Sequence, residues 1–275
     1  MLVAVSSQSM FGLGLYEAIR MASRVGFDGI ELLCATPHFG LDRATRDFEA
    51  VQRALEKARL KLVALTVPTN LTDPFTLREE LEAAEEFIKV ARRVGTDCVV
   101  VNAGRPTSLR AMTDRWETCV AALQLLSSAA QRRGVRLVVS VQRNSLADTP
   151  AGVATLLKHV GDGAMGVLLD TGFVLENKQT VESYVQFLNK SLAIVRIQDV
   201  AVGRQDSSWA ALGAGSCDFH SVVAALKVAR FAGPVSLACR HAAEDPDPLE
   251  KLARELRKAR SLLAVHQLAP AGSHV

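Results

Sequence analysis

One feature constrains this chain more than any other. A short, apolar, β-branched run alternates with a stretch of helical periodicity, eight times over. The runs lie at Leu2–Val5, Gly29–Leu33, Lys61–Leu65, Asp97–Asn102, Arg136–Val141, Met165–Asp170, Ala193–Gln198 and Pro234–Ala238. The helical patterns lie near Gly14–Val25, Thr45–Ala58, Leu77–Val94, Thr113–Arg133, Thr149–Val160, Thr180–Lys190, Phe219–Phe231 and Pro248–His266. In the second of these, Phe48, Val51, Leu55, Ala58 and Leu60 form one stripe at the 3.6-residue period. Thr149-Pro150 has the form of an N-cap with proline at the first helical position. Gly26, Gly95, Gly134 and Gly233 stand where a helix has to stop, which suits left-handed C-caps.

The runs are continuous rather than alternating, as in Val99-Val100-Val101 and Leu137-Val138-Val139. Strands buried on both faces read this way, and parallel strands covered by helices are of that kind. Eight strand–helix units within 275 residues predict an α/β fold, a single (β/α)8 barrel. An open doubly wound sheet is the alternative. It usually carries a Gly-x-Gly-x-x-Gly turn after its first strand, and Ser6-Ser7-Gln8-Ser9 stands there instead. The barrel is expected to span residues 1–268, with 269–275 as a flexible tail.

Composition narrows the class further. The net charge is only +3, and acids interleave with bases, as in Arg78-Glu79-Glu80. A solvated surface rather than a nucleic-acid groove is expected. No apolar run approaches the ~18 residues of a membrane span, and the first residues do not read as a leader peptide. Five cysteines with no Cys-x-x-Cys pair suggest reduced thiols and a cytoplasmic protein. Phosphate-loop and Gly-x-Ser-x-Gly motifs are lacking.

Chemistry in such a barrel gathers at the carboxyl ends of the strands. That rule selects Glu31 and His38 after the second strand, Asn102 after the fourth, and Ser140 and Gln142 after the fifth. Asp170 follows from the sixth, Arg196, Gln198 and Asp199 from the seventh, and Arg240 and His241 from the eighth. Asp170, Arg196, Asp199 and His241 are the candidates for catalysis, and the others for substrate binding. His159, His220, His266 and His274 fall on helices, a helix start or the tail, where no chemistry is expected. Gly213-Ala-Gly215 offers backbone amides suited to an anion. Cys34 and Cys239 sit near strand ends and read as packed thiols.

Several segments, in this order and spacing, resemble the xylose-isomerase-like barrels. They are Gly26-Phe-Asp-Gly-Ile-Glu31, Gly134-Val-Arg-Leu, Leu146-Ala-Asp-Thr-Pro150, Val167-Leu-Leu-Asp-Thr-Gly172, Val195-Arg-Ile-Gln-Asp199 and Leu212-Gly-Ala-Gly-Ser-Cys-Asp218. The resemblance is to the sugar phosphate isomerase/epimerase group, with its inosose isomerases and dehydratases. It implies one divalent metal held by a Glu, an Asp, a His and a Glu at the ends of strands five to eight. Here those positions carry Ser140, Asp170, Arg196 and Ala238. A serine hydroxyl is a weak ligand, alanine is none, and a guanidinium brings positive charge to the metal's place. No metal and no other cofactor is therefore expected.

Arg196 is expected to pair with Asp170 on the neighbouring strand, since a lone buried carboxylate is costly. Two readings stay open. One is a metal-independent isomerase or epimerase in which Arg196 and Arg240 hold an anionic oxygen while Asp170, Asp199 or His241 moves a proton. The other is a non-catalytic relative that binds a sugar-like or anionic small molecule or serves as a partner subunit. A metal-dependent isomerase and a purely structural protein stand behind both. The expected partner is a small molecule, with no nucleic acid, no membrane and a homo-oligomer as an option.

Overall fold

The computed structural model describes residues 1–105, 112–161, 163, 165–203 and 207–265. Eight parallel strands close into a barrel: β1 (Val3–Ser6), β2 (Gly29–Leu33), β3 (Lys61–Val67), β4 (Cys98–Asn102), β5 (Arg136–Ser140), β6 (Met165–Asp170), β7 (Leu192–Ile197) and β10 (Val235–Leu237). The remaining two strands, β8 (Asp199–Val202) and β9 (Ser207–Ala210), form an antiparallel hairpin directly after β7. The helices are α1 (Leu15–Val25), α2 (Leu41–Arg46), α3 (Phe48–Ala58), α4 (Leu77–Val94), α5 (Met112–Gln131), α6 (Pro150–Val160), α7 (Thr171–Glu176), α8 (Val181–Leu188), α9 (Phe219–Val228) and α10 (Leu249–Val265). No described helix is long and apolar enough to cross a membrane.

The strands are buried on both faces nearly throughout, as their continuous apolar runs predict. Outward residues such as Val99, Val101, Leu137 and Val139 join one large core with the inner faces of the helices. Inward residues divide by height. Ala4, Ala64, Val100, Val138, Leu168 and Ile194 form an apolar layer in the lower barrel. One step of two residues further along these strands come Ser6, Thr66, Asn102, Ser140, Asp170 and Arg196. The upper interior is therefore polar, at the end where barrels place their chemistry.

Local expectations mostly hold. Thr149 Oγ1 accepts from Gly152 N at 3.1 Å, with Pro150 opening α6. Gly26, Gly95 and Gly134 adopt φ of 96°, 108° and 63°. Gly233 does not. The chain after α9 turns instead at Arg230, with φ 51°. Gly233 is needed for close approach, because a Cβ there would lie 2.6 Å from the Ala193 carbonyl oxygen. The single helix expected over Thr45–Ala58 is two helices, broken at Asp47 with φ −120° and ψ 11°. The hairpin β8–β9 and the short α7 fall where a loop and no element were expected. The tail 269–275 lies outside the described residues, as do His266 and His274.

Candidate functional site

The centre of the polar layer is an ion triad. Arg196 Nη2 donates to Glu31 Oε1, and its Nε donates to Glu31 Oε2 at 3.4 Å. Its Nη1 donates to Asp170 Oδ2 at 3.4 Å. The strand register sets Arg196 beside Asp170 on β6 and Ser236 on β10. Two hydroxyls complete Glu31: Thr66 Oγ1 donates to Oε1 at 2.5 Å and Ser236 Oγ to Oε2 at 2.8 Å. Asp170 also caps α7, accepting at Oδ1 from Gly172 N and Phe173 N. Every member of the triad is at most 2% exposed.

The charges follow from this geometry. Burial alone would raise the Glu31 carboxyl, but the Arg196 charge, its hydrogen bonds and the two hydroxyls hold it below the ordinary range. At Asp170 burial wins over the two arginines and the Phe173 amide, and the carboxyl is raised. Arg196 is pushed down by burial but more strongly up by its two carboxylates, and stays charged.

Above the triad lies a cover. The Arg240 guanidinium stands 4.7 Å from the centre of the Trp209 ring and 5.2 Å from that of Phe173. The two rings meet edge to face at 5.8 Å. Arg240 Nη2 donates to Gln8 Oε1 at 3.2 Å. Burial lowers its pKa. Glu176 at the end of α7 ties the cover down, accepting from Ser207 Oγ at 2.5 Å and facing Arg143 Nη1 at 3.4 Å. Beside this cover, Gln142 Nε2 donates to Asn102 Oδ1 at 2.8 Å. Gln198 continues the inward parity of Arg196, and its side chain packs over Gly172. Both its amide atoms, and Arg240 Nε, are buried with no hydrogen-bond partner among the described residues.

The structure thus brings together Glu31, Asp170 and Arg196, with Asn102, Gln142, Gln198 and Arg240 around them. It sets Asp199, His241 and His38 apart, and Ser140 stays in the polar layer with its hydroxyl turned to the chain. The Asp199 carboxylate accepts from the backbone amides of Val200, Gly213, Gly215 and Cys217 at 2.7–3.1 Å. The Gly213–Gly215 amides therefore hold an anion from the chain itself, and Asp199 is a loop staple rather than the acid or base expected. His241 is turned to Glu255, with Nε2 3.7 Å from Oε1; burial lowers its pKa, and its Nδ1 is buried with no hydrogen-bond partner among the described residues. His38 is buried between Ser7 Oγ at 3.1 Å and Met10 O at 3.2 Å, and burial lowers its pKa. Ser140 Oγ is directed to Val141 O at 3.4 Å.

Sequence reading missed Trp209, Glu176 and Ser236. Trp209 is one of only two tryptophans and sits in a short β-type run. Ser236 is a polar residue inside an apolar strand. Both signals were present. The thiols of Cys34 and Cys239 are buried and shifted upward by burial, as packed thiols are.

The positions at which the family resemblance places a divalent metal do not fit one. Ala238 has no donor atom, Ser140 points to a carbonyl, and the Arg196 guanidinium fills the space between the two carboxylates. Among the described residues, no group of three or more His, Cys, Asp or Glu is placed to hold an ion.

Comparison with known proteins agrees with the architecture. A family model described as xylose isomerase-like TIM barrel matches residues 19–261. The IOLI protein, solved with a binding zinc atom, superposes with a TM-score of 0.83 at 17% identity, covering 96% of this chain and 99% of that one. The 3-keto-D-glucoside 4-epimerase YcjR from E. coli gives 0.78 at 18% identity, covering 95% and 99%. A xylose isomerase-like TIM barrel/4-hydroxyphenylpyruvate dioxygenase fusion protein gives 0.79 at 19% identity, covering 98% of this chain, which spans 45% of that longer one. At these identities the superpositions show the fold alone. Among curated protein sequences nothing matches.

Proposed function

Because the chain belongs to the xylose isomerase-like TIM barrel family and has a sugar isomerase/epimerase-like fold, we propose that it is a divergent, metal-independent member that binds a small polyhydroxy or acidic ligand at the carboxyl end of the barrel. The observation that carries this reading is Arg196, clamped between Glu31 and Asp170. It sits at the position where the resemblance implies a histidine ligand, and it supplies positive charge beside Asp170, the one implied ligand that is kept. A cation fixed by two ion pairs at the barrel centre is a structural substitute, since breaking it would leave buried charges unpaired.

Ligand recognition then falls to the groups above the triad. Arg240 has an unpartnered Nε and a guanidinium suited to a carboxylate or phosphate. Gln198 offers an amide donor and acceptor with no partner among the described residues, and Asn102 with Gln142 supplies further hydrogen-bonding edges. Such a set suits hydroxyls around one anionic group. Reduced, buried thiols support a cytoplasmic setting.

A second reading, metal-free isomerisation or epimerisation, is favoured by one observation. The Asp170 carboxyl is raised by burial at the edge of the ligand groups. Against it, both Asp170 oxygens are already engaged.

The test combines metal analysis with calorimetric titration. The purified protein is expected to carry no stoichiometric divalent metal. It is expected to bind gluconate more tightly than glucose, and Arg240→Gln is expected to weaken gluconate at least tenfold. Epimerase turnover that a chelator abolishes overturns the proposal. Turnover that a chelator leaves intact establishes the second reading.

A further inference from the structure

The barrel's other end carries a surface cavity of its own. A cavity of about 670 Å³ enters between the amino ends of the strands, lined by Leu2, Val63, Cys98 and Ile194, with Lys61 and Arg136 at its rim. This face lies opposite the cover of Phe173, Trp209 and Arg240. A volume of that size is in the range of small-molecule sites, ~300–1,000 Å³.

Barrel interiors are filled mostly by bulky branched side chains. Here the inward parity of β2 and β6 places glycine, and the neighbouring chain fills the room a side chain would take. A Cβ on Gly29 would lie 2.6 Å from the Lys61 carbonyl oxygen and 3.2 Å from Val63 Cγ2. A Cβ on Gly166 would lie 2.8 Å from Arg136 Nε and 3.0 Å from Ala193 Cβ. Beneath the cavity floor, Ala4, Ala64, Val100, Val138 and Leu168 are fully buried and close the axis.

The same missing side chain at Gly166 lets Arg136 lie across the entrance. Its Nη2 donates to Ser191 O at 3.3 Å, which holds the guanidinium in place. The lining carries Lys61, Arg92 and Arg136 against one acid, Asp97, which faces Arg92 at 3.7 Å. A net positive rim thus surrounds an apolar floor. The Cys98 thiol in that floor is pushed up to about 12 by burial and stays neutral.

We propose that this cavity is a second ligand site, which takes a small carboxylate with an apolar body. Its carboxylate pairs with Arg136 and Lys61, and its apolar part rests on Val63, Cys98 and Ile194. An apolar molecule without charge would leave the cations unused, and a strongly hydrated dianion would leave the floor uncovered.

The probe is octanoate, with 1-octanol as its neutral counterpart, titrated by calorimetry into the full chain. One octanoate per chain is expected, bound at least tenfold more tightly than octanol. Arg136→Gln is expected to weaken octanoate at least tenfold. Arg240→Gln, at the far end of the barrel, is expected to leave it unchanged. Ala193→Leu, which fills the floor, is expected to abolish binding. Should that variant fail to fold, the exposed Arg136 still decides. No saturable octanoate binding overturns the proposal. So does binding that Arg136→Gln leaves intact, or that Arg240→Gln removes.

Discussion

Arg196 and Glu31 stand 165 positions apart in the chain, and β10 and β1 separate their strands, yet their side chains meet across the barrel axis. This pair, rather than the neighbouring-strand contact with Asp170 alone, organises the upper interior. It ties β7 to β2 and draws Thr66 and Ser236 into one hydrogen-bonded cluster.

Removing the cation should be costly. Arg196→Met leaves Glu31 and Asp170 buried together with no counter-charge. A loss of about 3–5 kcal/mol is expected, measured by urea unfolding at neutral pH. Replacing the whole cluster, with Glu31→Leu, Asp170→Asn and Arg196→Met together, should recover much of that loss, because no buried charge then stays unpaired.

Acid should expose the Glu31 contribution. Its folded pKa lies below the ordinary 4.5, so its stabilisation is complete above that pH and is lost as the pH falls through the folded value. Asp170 runs the other way. Its folded pKa lies above 3.8, so acidification relieves a cost. The stability difference between the natural chain and Glu31→Gln isolates the first effect. It should be constant from about pH 6 to 8 and shrink below pH ~4.5. A difference that grows on acidification contradicts the assignment.

The staple at Asp199 should be structural. Asp199→Ala leaves the amides of Gly213, Gly215 and Cys217 without their acceptor. About 1–3 kcal/mol of stability should go, with faster amide hydrogen exchange over residues 211–217. Affinity at the barrel mouth should change much less than with Arg240→Gln.

Trp209 should report on the mouth. In a Trp116→Phe background it is the remaining tryptophan. A ligand that engages Arg240 should change its fluorescence, because the guanidinium lies 4.7 Å from the ring. Trp209→Ala removes one aromatic face from the arginine and should cost about 0.5–2 kcal/mol. Titration without a fluorescence change places the ligand elsewhere.

Much of the fold was legible in the chain order. Helical and strand periods are local signals, and all eight barrel strands begin within one residue of the expected start, as at Gly29, Lys61 and Met165. Two helix signals misled. The break at Asp47 and the turn at Arg230 depend on how the chain packs rather than on composition. The site was legible in outline. Strand ends pointed to Asp170 and Arg196, and a positive charge near Asp170 was predictable because a buried carboxylate needs one.

What the sequence determined by itself is the barrel, its order of elements, and which residue types stand at its strand ends, Ser140, Arg196 and Ala238 among them. Each rests on residue type and on periods that repeat within a few positions. Only the tertiary structure decided that Arg196 reaches Glu31, that Asp199 is consumed by its own glycine loop, and that Trp209 folds back over Arg240. These pairings join residues on different strands and loops. Barrel closure sets their distances, and no local pattern encodes which side chains will meet once eight strands share one axis.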